Sequence, residues 1–175
     1  MNISIRSWLI LAALTLLGVV SHLAPHVMGV STVGALSMLA AAYLPRHLLL
    51  IPVFITVAVA DIGIGPYGWT AMAFVYLGYL VGALVIVPSL RIVKPTGVLT
   101  AALLNAVAFY VVSNISQAFL FYPPTFEGWI ACYVNGLPFL LRGILANVVF
   151  GGLAFATIYL AGQINAHRIA LTQRN

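Results

Sequence analysis

The sequence predicts an all-α membrane protein: a single domain over residues 1–175 with six transmembrane helices and both termini in the cytoplasm. Three observations predict it. Hydrophobic residues make up 63% of the chain and charged residues 5%, against roughly 45–50% and about 25% in soluble domains. A spanning helix needs about 20 apolar residues, so 175 residues hold about six spans joined by short turns. The sparse charges also alternate along the chain. Arg6, Arg46, Arg91 with Lys94, and Arg168 with Arg174 recur at every second turn, while the two acids, Asp61 and Glu127, fall in the turns between. Threading the apolar runs through a bilayer gathers those bases on one side, which the positive-inside rule makes cytoplasmic, and both acids on the other. Arg142 alone breaks the pattern.

The first helix is expected over residues 5–22, with Arg6 at the cytoplasmic edge and no small-residue cleavage site after it, so it is read as retained. Pro25 and Gly29 break the outer segment that follows. The second helix is expected over 31–44, ending at Pro45-Arg46, and the third over 47–60. Each is about 14 residues or roughly 21 Å, too short to span unaided, and helices of that kind are tolerated where irregular backbone lines a cavity. The stretch Asp61-Ile-Gly-Ile-Gly-Pro-Tyr-Gly68 reads as a glycine-rich outer loop, not as a nucleotide fingerprint. A fourth helix over 69–87 leads to the basic turn 88–95, and a fifth covers 96–119. The segment 122–129 reads as aromatic outer loop or a surface-lying element, and a sixth helix covers 136–162.

The pI near 9.7 reflects topology-setting charges, with no interleaved basic-aromatic patch for nucleic acid. The single Cys132 excludes an internal disulfide and a CxxC motif. No HExxH, GxSxG, Walker A or intramembrane aspartate pair is present, so the chain does not read as an enzyme. Polar groups within a bilayer are costly and each invites a functional reading beside a structural one. His22 and His26 flank Pro25, where an imidazole can ligate a metal, cap a ligand, or simply meet water and headgroups. His47 and His167 sit beside arginines and read as solvated. Asp61 can bind ligand, pair with Arg142, or cap a helix. Arg142 would cost about 2.5–3.5 kcal/mol facing lipid at mid-bilayer, so it faces the bundle, lines a cavity, or snorkels outward. Asn114 and Gln117 share a face at i, i+3, as do Tyr76 and Tyr79. With Trp69, Phe109, Tyr110, Tyr133 and Phe139 they either wall an aromatic pocket or form an interfacial belt. Asn105 and Asn147 read as hydrogen bonds between helices, and Gly78-xxx-Gly82 as close helix packing.

Thr32-Val-Gly-Ala-Leu36, Ala42-Tyr-Leu44, Ala60-Asp61, Val75-Tyr76, Ser113-Asn114, Tyr122-Pro123 and Ala131-Cys-Tyr-Val134 with Leu137-Pro-Phe139 occur together, in order. In these segments, over about residues 20–160, the chain resembles the substrate-binding S-components of energy-coupling factor vitamin transporters, and within that group the solitary vitamin B12 S-components. The resemblance implies six helices in a bacterial inner membrane, a pocket open to the outer face, and cobalamin or a related corrinoid as transported ligand, with no resident cofactor. It implies that His26 meets the cobalt. The family's helix-four cysteine is missing from Val75-Tyr-Leu-Gly-Tyr-Leu80, so the ligand is a corrinoid held without thiolate, or another vitamin or modified base. The family's Ala-xxx-Ala docking face is missing too: Ala12 and Ala13 are each followed four residues later by leucine. That favours a solitary protein without an energising module, although Ala102-xxx-Ala106 remains a packing face. Substrate binding is expected at His26, Asp61, Tyr76, Tyr79, Asn114, Gln117, Tyr133 and Arg142. The reading from another class is a membrane structural or assembly protein in which Arg142 and Asp61 only pair.

Overall fold

A computed structural model describes residues 4–24, 30–65 and 67–172. His26 and Arg174 lie outside the described residues, as do the side chains of His167 and Arg168. Every regular element among the described residues is helical: α1 (Ile5–Leu23), α2 (Val33–Tyr43), α3 (Leu50–Ile64), α4 (Trp69–Val85), α5 (Pro95–Phe121), α6 (Phe126–Ala146) and α7 (Gly152–Thr172). A single π-helical stretch, Asn147–Gly151, joins α6 to α7, so the two form the expected sixth helix.

Local chemistry sets the boundaries. The Ser4 hydroxyl accepts from the Ser7 amide at 3.2 Å and opens α1. Pro95, with no N–H to lose, occupies the first position of α5. Gly65 and Gly68 adopt φ of 87° and 101°, a conformation that side chains resist, and they bracket the turn between α3 and α4. Two expected boundaries are corrected. Asp61 does not open a loop; it belongs to the last turn of α3, which continues to Ile64. The segment 122–129 is not all loop, because Thr125 restarts the helix at Phe126: its hydroxyl accepts from the Gly128 amide at 3.1 Å, and Glu127 in the first turn complements the helix dipole.

Three apolar clusters order the bundle from end to end. At one end the start of α1 (Leu11), the end of α2 (Ala40, Leu44), the following turn (Leu48, Leu49) and the end of α4 (Ala83) pack together. Beside them Met38, Ile86, Leu90, Ala101, Ala102 and Phe155 join α2, α4, α5 and α7. Arg46, Arg91 and Lys94 occupy the turns at this basic end. Toward the opposite, acidic end Val33, Val53 and Val57 pack against Tyr76 and Tyr79. Ala102 is fully buried in the second cluster, so the Ala102-xxx-Ala106 step packs inward and offers no docking face. Gly78 and Gly82 seat α4 on α5: an added Cβ would lie 3.0 Å from the Phe109 ring and 3.0 Å from Asn105 Nδ2.

Among the described residues, three helical stretches are long and apolar enough to cross a membrane: Ile5–Leu23, Pro95–Phe121 and Phe126–Ile164, of 19, 27 and 39 residues. All three expose leucines and valines outward, such as Leu16 and Leu17 on α1, Leu99 and Leu103 on α5, and Leu141 and Leu145 on α6. Apolar surface on that scale belongs against lipid, not water. The chain is a membrane protein by the length and composition of its helices. The helices α2, α3 and α4, of 11, 15 and 17 residues, are shorter than a span, and the cavity lies where α2 and α4 meet α5 and α6.

Candidate functional site

A cavity of about 550 Å³ lies toward the acidic end, lined by the end of α1, the start of α2, α4, α5 and α6. Its α5 wall carries Phe109, Tyr110, Ser113, Asn114 and Gln117, which recur on one helical face. Its α6 wall carries Cys132, Asn135, Gly136 and Phe139. His22, Ser31 and Tyr79 line the side toward α1, α2 and α4, and Asn105 and Asn147 form the floor.

The aromatic part is built by pairwise ring packing. Tyr79 lies against Phe109 with ring centroids 4.4 Å apart, and Tyr110 meets Tyr133 edge-on at 5.6 Å. The Tyr110 hydroxyl donates to the Tyr133 carbonyl and the Tyr133 hydroxyl returns to the Val111 carbonyl at 2.8 Å, so two reciprocal bonds clamp α6 to α5. Gly136 brings the helices close enough for this: a methyl there would lie 2.9 Å from both Asn114 Oδ1 and the Tyr110 ring. Asn114 donates to the Tyr110 carbonyl at 2.8 Å, and the Cys132 thiol lies 3.6 Å from the Asn114 carbonyl. At the α1–α2 side, Ser31 Oγ shares a hydrogen bond with His22 Nδ1 at 3.3 Å and accepts from the Val33 amide at 3.2 Å. Among the described residues that line the cavity none is Asp, Glu, Lys or Arg. It is an amide- and phenol-lined chamber in which the His22 imidazole is the one basic side chain of the described lining.

A family comparison matches residues 2–169 to a family of unknown function, DUF6580. The chain belongs to DUF6580. No curated protein and no solved structure matches it.

In this DUF6580 chain the expected site residues divide into groups. Tyr79, Asn114 and Gln117 line the cavity. Tyr76 does not: one turn earlier on α4, its ring stacks on Phe54 of α3 at 5.8 Å. The hydroxyls of Tyr76 and Tyr67 face the Asp61 carboxylate, whose Oδ2 is buried without a hydrogen-bond partner. Asp61, Tyr67 and Tyr76 thus form a second polar cluster behind Tyr79, outside the cavity lining. Burial, and next the Asp61 charge, push the Tyr67 phenol well above its usual range. Tyr133 supports Tyr110 from behind and is not a lining residue. Arg142 is exposed on α6, with its guanidinium 5.7 Å from the centre of the Phe139 ring. Phe139 lines the cavity and Arg142 itself does not. His26 lies outside the described residues.

The residues that the sequence reading left out of the site are chiefly Asn105 and Asn147. Asn147 Nδ2 donates at 3.1 Å to Asn105 Oδ1 and at 3.1 Å to the Ala102 carbonyl, so the expected bond between helices exists. Both amides also line the cavity. A polar residue on an apolar helix marks an interior position; nothing in the sequence tells that a chamber lies above it.

Proposed function

We propose that the chain is a substrate-binding membrane protein for uptake of a small neutral molecule of the vitamin class. The observation that carries this reading is the chamber itself: about 550 Å³, aromatic on its walls, amide-bearing, free of Asp, Glu, Lys and Arg among its described residues, and set at the acidic end of the bundle. Ligand sites of about 300–1,000 Å³ combine apolar area with a few placed polar groups in this way. Chambers of this kind count against a purely structural or assembly role, for which a filled bundle suffices.

The charge pattern supports an orientation with the basic end and both termini in the cytoplasm of a bacterium, and with the chamber opening to the outer face of the inner membrane. The reading assigns the protein no catalytic step, no resident cofactor, no nucleic acid and no energising module. For the ligand, the resemblance to the vitamin B12 S-components favours cobalamin or a related corrinoid, whose side-chain amides suit the amide lining. The volume favours the second reading, a more compact vitamin or modified base, because a whole corrinoid exceeds the chamber and would rest partly outside it.

An absorbance spectrum of the purified protein, taken after incubation with cobalamin and removal of free ligand, separates the two. A retained corrinoid chromophore near one per chain selects the corrinoid, and band shifts lost in His26→Ala place the imidazole at cobalt. A colourless protein removes the corrinoid and leaves the compact ligand. If neither cobalamin nor compact neutral vitamins such as riboflavin and nicotinamide bind, uptake is the wrong reading.

A further inference from the structure

Among the described residues five side-chain amides line the chamber, and four of them already serve the bundle. Asn147 Nδ2 donates to Asn105 Oδ1 and to the Ala102 carbonyl. Asn114 Nδ2 donates to the Tyr110 carbonyl, and Asn135 Nδ2 donates to the Tyr122 hydroxyl at 3.1 Å. Gln117 differs. Among the described residues its carboxamide neither donates nor accepts a hydrogen bond, and neither of its polar atoms is sealed in. A half-buried glutamine that bonds no neighbouring helix does nothing to hold α5 in the bundle. Its donor and its acceptor are both left for whatever enters the chamber.

The position of that amide says what it could meet. Phe109, Ser113 and Gln117 follow one another at four-residue steps along the α5 face that lines the chamber. Eight residues of helix set Gln117 about 12 Å from Phe109, toward the acidic end. At the deep end Phe109 lies against Tyr79 with ring centroids 4.4 Å apart. The Ser113 hydroxyl, between the two, also makes no hydrogen bond among the described residues and is not sealed in. The stripe thus passes from an aromatic seat through a hydroxyl to an open carboxamide. A carboxamide presents an N–H donor and a carbonyl acceptor side by side. Its complement carries the same two groups in reverse, as a ring lactam or a primary carboxamide does. An analogue without the N–H leaves the Gln117 carbonyl unpaired, which is how polar sites reject close relatives of their ligands.

We propose that Gln117 is the specificity-determining residue of the chamber, pairing its carboxamide with the lactam or carboxamide edge of a neutral ring compound seated on Phe109 and Tyr79. Neutrality follows from a lining without Asp, Glu, Lys or Arg among its described residues. The inference rests on the substrate-binding reading above.

The test uses the full chain in detergent and equilibrium dialysis with two probes. Lumichrome is a neutral planar tricycle with lactam N–H groups; 1,3-dimethyllumichrome keeps the carbonyls and loses both N–H groups. Wild type is compared with Gln117→Met, which keeps an unbranched, flexible side chain and removes the amide. Thermal melting accompanies each sample, and with no hydrogen bond to lose the variant should melt with wild type. The expected result is lumichrome binding by wild type and a loss of about tenfold or more in Gln117→Met. N-methylation of the probe should cost wild type a similar factor and the variant little, a non-additivity that marks a direct pair. Equal lumichrome binding by both proteins overturns the proposal and assigns the carboxamide to water. Equal losses on N-methylation in both proteins overturn it too, because another group then reads the edge. Should Gln117→Met fail to fold, Gln117→Ala takes its place. Wild type that binds the two probes alike overturns the proposal and leaves the substrate-binding reading standing. Wild type that binds neither overturns the ligand class, and the cobalamin and vitamin trials above then decide the reading by themselves.

Discussion

Gly34 shows how one missing methyl group shapes the site. Its Cα faces the Asn105–Asn147 pair so closely that Gly34→Ala must displace the Asn147 carboxamide. Overpacking of this kind costs about 1–3 kcal/mol, so the variant is expected to melt lower, and a chemical-denaturation or thermal series in detergent checks it. Tyr67 carries a second expectation. Its proton is held more tightly in the folded protein than in the unfolded chain, so this group leaves stability unchanged below the ordinary phenol range and lowers it as pH rises through that range. In an alkaline absorbance titration, Tyr67→Phe should remove no tyrosinate signal at about pH 10, where an unperturbed phenol is half ionised. Loss of signal there would show a free Tyr67. Side-chain spacing foretold some of this scale and not the rest. Asn114 and Gln117, at i and i+3, do share the chamber wall. Tyr76 and Tyr79 have the same spacing and part company, because Tyr76 meets Phe54 on α3 and Tyr79 meets Phe109 on α5. Periodicity names a face of a helix; it does not name the neighbour.

The joined α6–α7 helix concentrates the element-scale features. Pro138 lies within α6, where it removes a backbone bond, and the π-helical stretch follows at Asn147–Gly151. An α-helix advances about 100° per residue, so deleting Val149 would restore regular winding and, while α6 keeps its grip on α5, turn α7 and carry Phe155 away from Met38. The expected outcome is unchanged helix content by circular dichroism with a lower melting temperature in detergent. An unchanged melting temperature would show that the π-helical stretch does not set the register of α7. The sequence located this helix but misjudged its start, since Tyr122-Pro-Pro reads as loop and the stop was carried on through Trp129. Thr125 with Glu127 two residues later was the available signal, a capping residue followed by an acid in the first turn. The π-helical stretch left no sequence mark that periodicity can detect, because one inserted residue shifts the pattern by less than the width of an apolar face.

At the scale of the molecule, the fold class was legible because it depends on sums: apolar content, segment length and the order of a few charges. Those sums also place the basic turns, and the Leu11–Ala83 and Met38–Phe155 clusters bring α2, α4 and the start of α5 together at that end. Reporter fusions after Lys94 and after Tyr122 test the proposed orientation, with cytoplasmic activity expected for the first and external activity for the second; the reverse would invert the protein. The chamber was not legible in this way, since it is a gap between faces that each look like ordinary helix. A lining without Asp, Glu, Lys or Arg among its described residues has an energetic consequence. Apart from the imidazole of His22, no titratable acid or base lies in the described chamber wall except weakly acidic phenols and a thiol, and a neutral solute brings no charge of its own. Moving an elementary charge through 100 mV is worth about 2.3 kcal/mol, and a neutral solute passing this chamber could draw on none of it. Its passage would be electrically silent, with no current to record and no pull from the membrane voltage, so accumulation would depend on trapping the solute inside or on a second, charge-carrying protein.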